Sequence, residues 1–232
     1  MEFYHFVVSF FRDGGFFLYP LAAIFVVGVA IAIERFIYLS IETTSNRRLW
    51  GQVVPLINAG NFKQVVAVTS KSKAAIATVL NYGIARLASA RRRDDVEKAM
   101  DESLLEIIPR MEKRTHYLSA LANIGMLTGL LGTVIGLISA FASIAQANPA
   151  EKASLLAASI SVAMNNTASG LLCAITLLLA HMFLESKTTS LIDSLEIAVV
   201  KFLNSITERY SEPSAPSPTP AMTPRAPAPR PA

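Results

Sequence analysis

The 232-residue chain is poor in charge, cysteine and histidine. Only 16% of its residues are charged and 52% are apolar, whereas a soluble domain carries about 25% charged residues. The shortage is uneven. Asp, Glu, Lys and Arg are missing from Gly14 to Ile33, from Thr115 to Ala150 and from Ala153 to Leu184, windows of 20, 36 and 32 residues. A membrane-spanning helix needs roughly 20 mainly apolar residues. An ordinary soluble enzyme, a disordered chain and a disulfide scaffold are therefore excluded. What remains is an all-α membrane protein with three spans. Its one cysteine, Cys173, lies in the last charge-free window and has no intrachain partner for a disulfide. It reads as a small apolar packing residue. His5, His116 and His181 lack metal-ligand spacing, so neither a metal site nor a cofactor is expected.

The charges that are present orient the chain. Arg12 precedes the first window and Lys152 lies between the second and third, whereas fourteen Lys and Arg fall from Arg35 to Arg114 and five from Lys187 to Arg230. The positive-inside rule puts the N-terminus outside and both basic segments in the cytoplasm. The net charge of +4 has no interleaved aromatic or Gly-rich recognition pattern, so no nucleic-acid partner is expected. The first residues do not read as a cleavable signal, because Glu2 replaces a basic n-region and Glu34-Arg35 follows the apolar core.

Hydropathy and turn residues divide the chain further. Residues 1–13 suit an interfacial N-terminal helix, with a glycine break before the first span at 14–42. Tyr19-Pro20 fits the outer end of that span. Glu34 and Arg35 fall near the inner end, either as a headgroup-level ion pair or as a contact docking the span on a neighbouring subunit. Residues 43–114 form a cytoplasmic helical region. Asn46 and Asn61 are expected to cap two short helices ending near Gly60 and Ser70, and a third helix runs from Ala74 to about Ala90. Arg91-Arg92-Arg93 suits a helix C-terminus or anionic lipid headgroups. From Asp94, apolar residues at Val96, Met100, Leu104, Ile107, Met111 and Leu118 line one helical face. This predicts one long helix through the second span (115–147) to about Ala147, kinked near Pro109. A periplasmic turn at 148–152 leads into the third span (153–184). An amphipathic cytoplasmic helix continues it over 185–210, with Leu191, Leu195, Val199, Phe202 and Ile206 as its stripe, antiparallel to the helix from Asp94. Residues 211–232 hold eight of the twelve prolines and read as a disordered tail.

The spans carry unusual small and polar residues. Gly125/Gly129 and Gly132/Gly136 have the four-residue spacing that lets helices approach closely in lipid, and Gly170 lies with Ala163, Thr167 and Ala174 in a small-residue stripe of the third span. The glycine run lacks the Lys-Ser/Thr of a phosphate-binding loop. Ala168-Ser169-Gly170 and His181 share one helix and do not match an intramembrane serine peptidase. Thr128, Thr133, Ser161, Asn165, Asn166 and Thr167 are costly in lipid unless they meet another helix or water. Interhelical hydrogen bonding and a hydrated lumen both satisfy that requirement.

Three stretches together resemble the MotA/TolQ/ExbB proton-channel family, closest to its TolQ/ExbB branch. They are Tyr19-Pro20-Leu21 through Glu34-Arg35, Ile108-Pro109-Arg110-Met111-Glu112 with Leu130-Leu131-Gly132-Thr133-Val134-Ile135-Gly136, and Asn166-Thr167-Ala168-Ser169-Gly170-Leu171. The resemblance implies a homopentamer around a central pore lined by the second and third spans, in the bacterial inner membrane. It also implies a dimer of a single-span ExbD-, TolR- or MotB-like partner inside the pore, carrying a membrane aspartate. The family's two pore threonines fall on Thr133 and Thr167. Where the branch usually has a glutamate five residues before the second threonine, this chain has Val162, and Met126 replaces a common proline. No span holds a mid-membrane carboxylate, so a partner must supply any titrating acid. The expectation is a pore-forming subunit of an ion-driven motor, not an enzyme. It carries protons, with sodium as the alternative ion because Thr128, Asn165 and Asn166 suit oxygen ligation. A non-conducting scaffold of an envelope complex is the other reading.

Overall fold

A computed structural model describes residues 15–87 and 93–210. The expected interfacial helix (1–13), Arg91 and Arg92 and the Pro-rich tail (211–232) lie outside the described residues. Among the described residues six helices follow one another: α1 (Leu18–Ala59), α2 (Phe62–Thr69), α3 (Ala75–Leu87), α4 (Arg93–Glu112), α5 (Thr115–Gln146) and α6 (Lys152–Tyr210). Every regular element among the described residues is a helix. Three helical runs, α1, α4–α5 and α6, are long and apolar enough to cross a membrane.

Gly15 takes a left-handed φ of 67° just before α1. Pro20 sits in the first turn of α1, where its missing N–H is harmless. The helix then runs unbroken for 42 residues, including Pro55. This corrects the expected new helix at Asn46. The Asn46 side chain instead accepts the Ile76 N–H at 3.0 Å, and Glu42, one turn earlier, accepts the Ala75 N–H at 2.6 Å. Two α1 side chains thus cap α3 from outside, satisfying N–H groups that open a helix. α1 ends as a Schellman motif: Gly60 has φ 74°, its N–H bonds Ile57 O, and Asn61 N–H bonds Leu56 O, both at 2.9 Å. Asn61 caps α2 as its sequence predicts, accepting the Gln64 N–H at 3.3 Å.

The long helix expected from Asp94 is interrupted, and not at Pro109. Pro109 stays inside α4, where its carbonyl still accepts the Lys113 N–H at 3.0 Å. The break falls at Arg114, which adopts φ 69°. A continuous helix would give the Met111 carbonyl to the Thr115 N–H. Here that carbonyl accepts from the Arg35 guanidinium of α1.

α6 is continuous for 59 residues, roughly 90 Å at the α-helical rise, against a hydrocarbon core of about 30 Å. It runs antiparallel to α4–α5 along its length. Gly136 faces Ala163, Gly129 faces Gly170 and Gly125 faces Cys173. At the far end Arg93 donates to Asn204 at 3.5 Å. The predicted stripe of Leu191, Leu195, Val199, Phe202 and Ile206 is buried throughout. It packs with Val53, Val65, Leu80 and Met100 in the core. Phe202 meets Phe62 edge-on at 6.2 Å. The molecule therefore has two parts: a three-helix apolar part of α1, α5 and α6, and a bundle in which α2, α3 and α4 join the ends of α1 and α6.

Candidate functional site

The polar residues of the apolar part lie along the α5–α6 seam, which glycines make narrow. A Cβ on Gly129 would stand 2.8 Å from both the Asn166 carbonyl oxygen and Gly170 Cα, and one on Gly170 would stand 2.8 Å from Gly129 Cα. Backbone thus rests on backbone here. On either side the contact is looser: a Cβ on Gly125 would meet Cys173 Sγ at 3.0 Å, and one on Gly136 would meet Ala163 Cβ at 3.1 Å.

This approach exposes a backbone carbonyl to a side chain of the facing helix. The Thr167 hydroxyl donates to Gly129 O at 3.4 Å. The α-helical pattern directs that same carbonyl to the N–H of Thr133. The Thr167 hydroxyl and the Thr133 backbone N–H are therefore directed at one carbonyl, while the two hydroxyls donate to different ones. Thr133 turns its hydroxyl back to Leu130 O at 2.6 Å, and both residues are half-buried. A hydroxyl donating to a backbone carbonyl keeps its own lone pairs for another donor or a cation.

The other polar residues separate. Asn166 is 4% exposed and faces Gly132, where a Cβ would lie 3.1 Å from its Nδ2. Its Oδ1 is buried with no protein partner. It belongs to the seam within one chain and not to an open face. Asn165 is half-buried, and its backbone carbonyl accepts the Ser169 hydroxyl at 2.7 Å. Ser161 is exposed, and Thr128 bonds back to Ile124 O at 2.7 Å. Ser161, Asn165, Ser169 and Cys173, four apart along α6, thus have different surroundings. Ser169 and Cys173 face Leu18, Leu21 and Phe25 of α1. Val162, in the position of the branch glutamate, lies 3.6 Å from where a Cβ on Gly15 would stand.

No ion pair joins Glu34 to Arg35 among the described residues. They take different partners, both in their own chain. Arg35, 4% exposed, donates to Met111 O and lies 4.7 Å from the Tyr38 ring centroid. Glu34 pairs with Arg114 at 3.3 Å. Together they dock the end of the first apolar stretch onto the α4–α5 break. Sequence reasoning missed Arg114 and the Met111 carbonyl, because a left-handed arginine leaves no compositional mark.

Comparisons with known proteins agree with this architecture. A sequence model described as the MotA/TolQ/ExbB proton channel family matches residues 71–197, more than half of the chain. A protein of Methanothermobacter thermautotrophicus described as an ExbB homologue in biopolymer transport is 26% identical over 199 residues, which are 85% of this chain and 69% of the relative.

Proposed function

Since the chain belongs to the MotA/TolQ/ExbB proton channel family, we propose that it is a pore-forming subunit of an ion-driven motor in a bacterial inner membrane. Five copies surround a pore lined by α5 and α6, with α1 on the lipid side. The N-terminus is periplasmic and the α2–α4 bundle cytoplasmic, which agrees with the bias of Lys and Arg. A dimer of a single-span ExbD-, TolR- or MotB-like protein occupies the pore and brings an aspartate to the level of Thr133 and Thr167. Ion flow changes the charge of that aspartate, and the hydroxyls hydrogen-bond or hydrate it in each state. The protein makes and breaks no covalent bond and needs no cofactor.

The observation that carries this reading is the Thr167 hydroxyl donating to the Gly129 carbonyl, one helical turn before Thr133, within charge-free stretches that hold no carboxylate. A proton pathway through hydroxyls needs an acid of suitable pKa, and the partner supplies it. Protons are preferred over sodium on the family match. Thr128, Asn165, Asn166 and Ser161 act as weaker contacts along the pathway or between helices.

Thr167→Val tests the proposal, because it keeps the shape and removes the hydroxyl. The purified complex should keep its native mass while gradient-driven proton flux in proteoliposomes falls at least tenfold. Undiminished flux would take the threonine out of the mechanism, and no flux from the wild-type complex would return the scaffold reading.

A further inference from the structure

A groove lined by apolar side chains, hydroxyls and two cations opens where α1 and α6 leave their apolar stretches, between residues 40–50 of one and 183–194 of the other. It encloses about 510 Å³. Two cations, Arg47 and Lys187, line it, and no lining residue is acidic. Glu42, close by in sequence, is engaged by the Ala75 N–H. Arg47 is exposed and forms no hydrogen bond or ion pair among the described residues. Lys187 donates to the Ser40 hydroxyl at 3.0 Å and stands 4.3 Å from the Phe36 ring centroid. Neither cation has a carboxylate partner among the described ion pairs.

The wall of the groove holds a further donor in need of an acceptor. Asn46 is 4% exposed. Its Oδ1 is taken by the Ile76 N–H, which fixes the amide orientation and leaves Nδ2 buried with no partner. A buried donor without an acceptor is unfavourable. An arginine fork, an ammonium and an amide N–H together match the oxygens of a phosphate. On the side toward the apolar stretches, Phe36 and Phe183 stack at 6.0 Å with exposures of 45% and 54%.

We propose that this groove binds a phosphate-bearing anion, namely the headgroup of an anionic phospholipid in the leaflet on the basic side of the protein. The Arg47 guanidinium, Lys187 ammonium and Asn46 Nδ2 take the phosphate oxygens, and the Phe36–Phe183 pair covers the start of an acyl chain. The exposed ring pair favours a lipid over free phosphate, which would leave the rings uncovered. The two cations lie on different helices, so a bound headgroup ties α1 to α6 just beyond the membrane.

The test is native mass spectrometry of the delipidated full-length protein. It is titrated with phosphatidylglycerol, with phosphatidylcholine and, as a competitor, with inorganic phosphate. Phosphatidylglycerol should bind at least tenfold more tightly than phosphatidylcholine. Arg47→Ala/Lys187→Ala should weaken it at least tenfold, and Arg48→Ala, an exposed neighbour outside the groove, should leave it unchanged. Because Lys187 also holds Ser40, Arg47→Glu provides a second variant that removes no protein contact and should weaken binding by itself. Unfolding curves check that each variant is folded. Equal binding of the two lipids, or unchanged binding in both Arg47 variants, overturns the site. Full competition by inorganic phosphate at the lipid's own affinity overturns the lipid as its occupant.

Discussion

At the residue scale, the clearest structural role falls to Arg35. It is buried, charged and bonded to a carbonyl that the α4–α5 break leaves without its helical partner. Arg35→Ala should cost about 1–3 kcal/mol, because it strands a buried acceptor. The purified protein should then unfold at a lower temperature, and an unchanged midpoint would refute the docking role. The Glu34–Arg114 pair should matter much less, since both side chains are about half exposed and such pairs are worth roughly 0–1 kcal/mol. Arg114→Gly also relieves a left-handed non-glycine residue, so the two effects should nearly cancel in the same assay. Part of this site is legible in the sequence. Thr133, Thr167, Asn165 and Asn166 stand out because polar groups are costly in an apolar helix. Periodicity cannot tell that Asn166 turns into the seam and Asn165 only half so, because adjacent residues differ by about 100° and the facing helix decides which is covered. Asn46 was misread as a cap of its own helix, although it caps α3, 30 residues further along the chain.

At the scale of elements, glycine spacing sets the distance between α5 and α6. Gly129→Ala puts a methyl group against backbone at 2.8 Å, which the helices can accommodate only by moving apart. It should destabilise by about 1–3 kcal/mol. Gly136→Ala meets a side-chain methyl at 3.1 Å and should cost less. Comparing their thermal midpoints in one detergent checks the order, and equal midpoints would contradict backbone contact at Gly129. The long helices themselves were readable from the sequence. Charge-free windows marked the apolar stretches, and a three-and-four spacing marked the stripe that ends with Phe202 and Ile206. The break at Arg114 was not. Pro109 offered a plausible kink, but the backbone turns five residues later, where Arg35 supplies the missing donor from another helix. A tertiary partner thus moved the break away from the residue that local propensity favoured.

At the scale of the whole molecule, the chain holds hydroxyls and amides within its charge-free apolar stretches and its carboxylates outside them. Under the proposed function, it conducts protons only when another protein places an acid among those hydroxyls. Native mass of the assembled chain should show five copies, and another closed stoichiometry would contradict the proposed pore. The central claim is tested most directly by proton flux into proteoliposomes holding the chain alone, the chain with its single-span partner, and that complex with Thr167→Val. The account predicts flux only from the complete wild-type complex. Equal flux from the chain alone, or from the Thr167→Val complex, would contradict it.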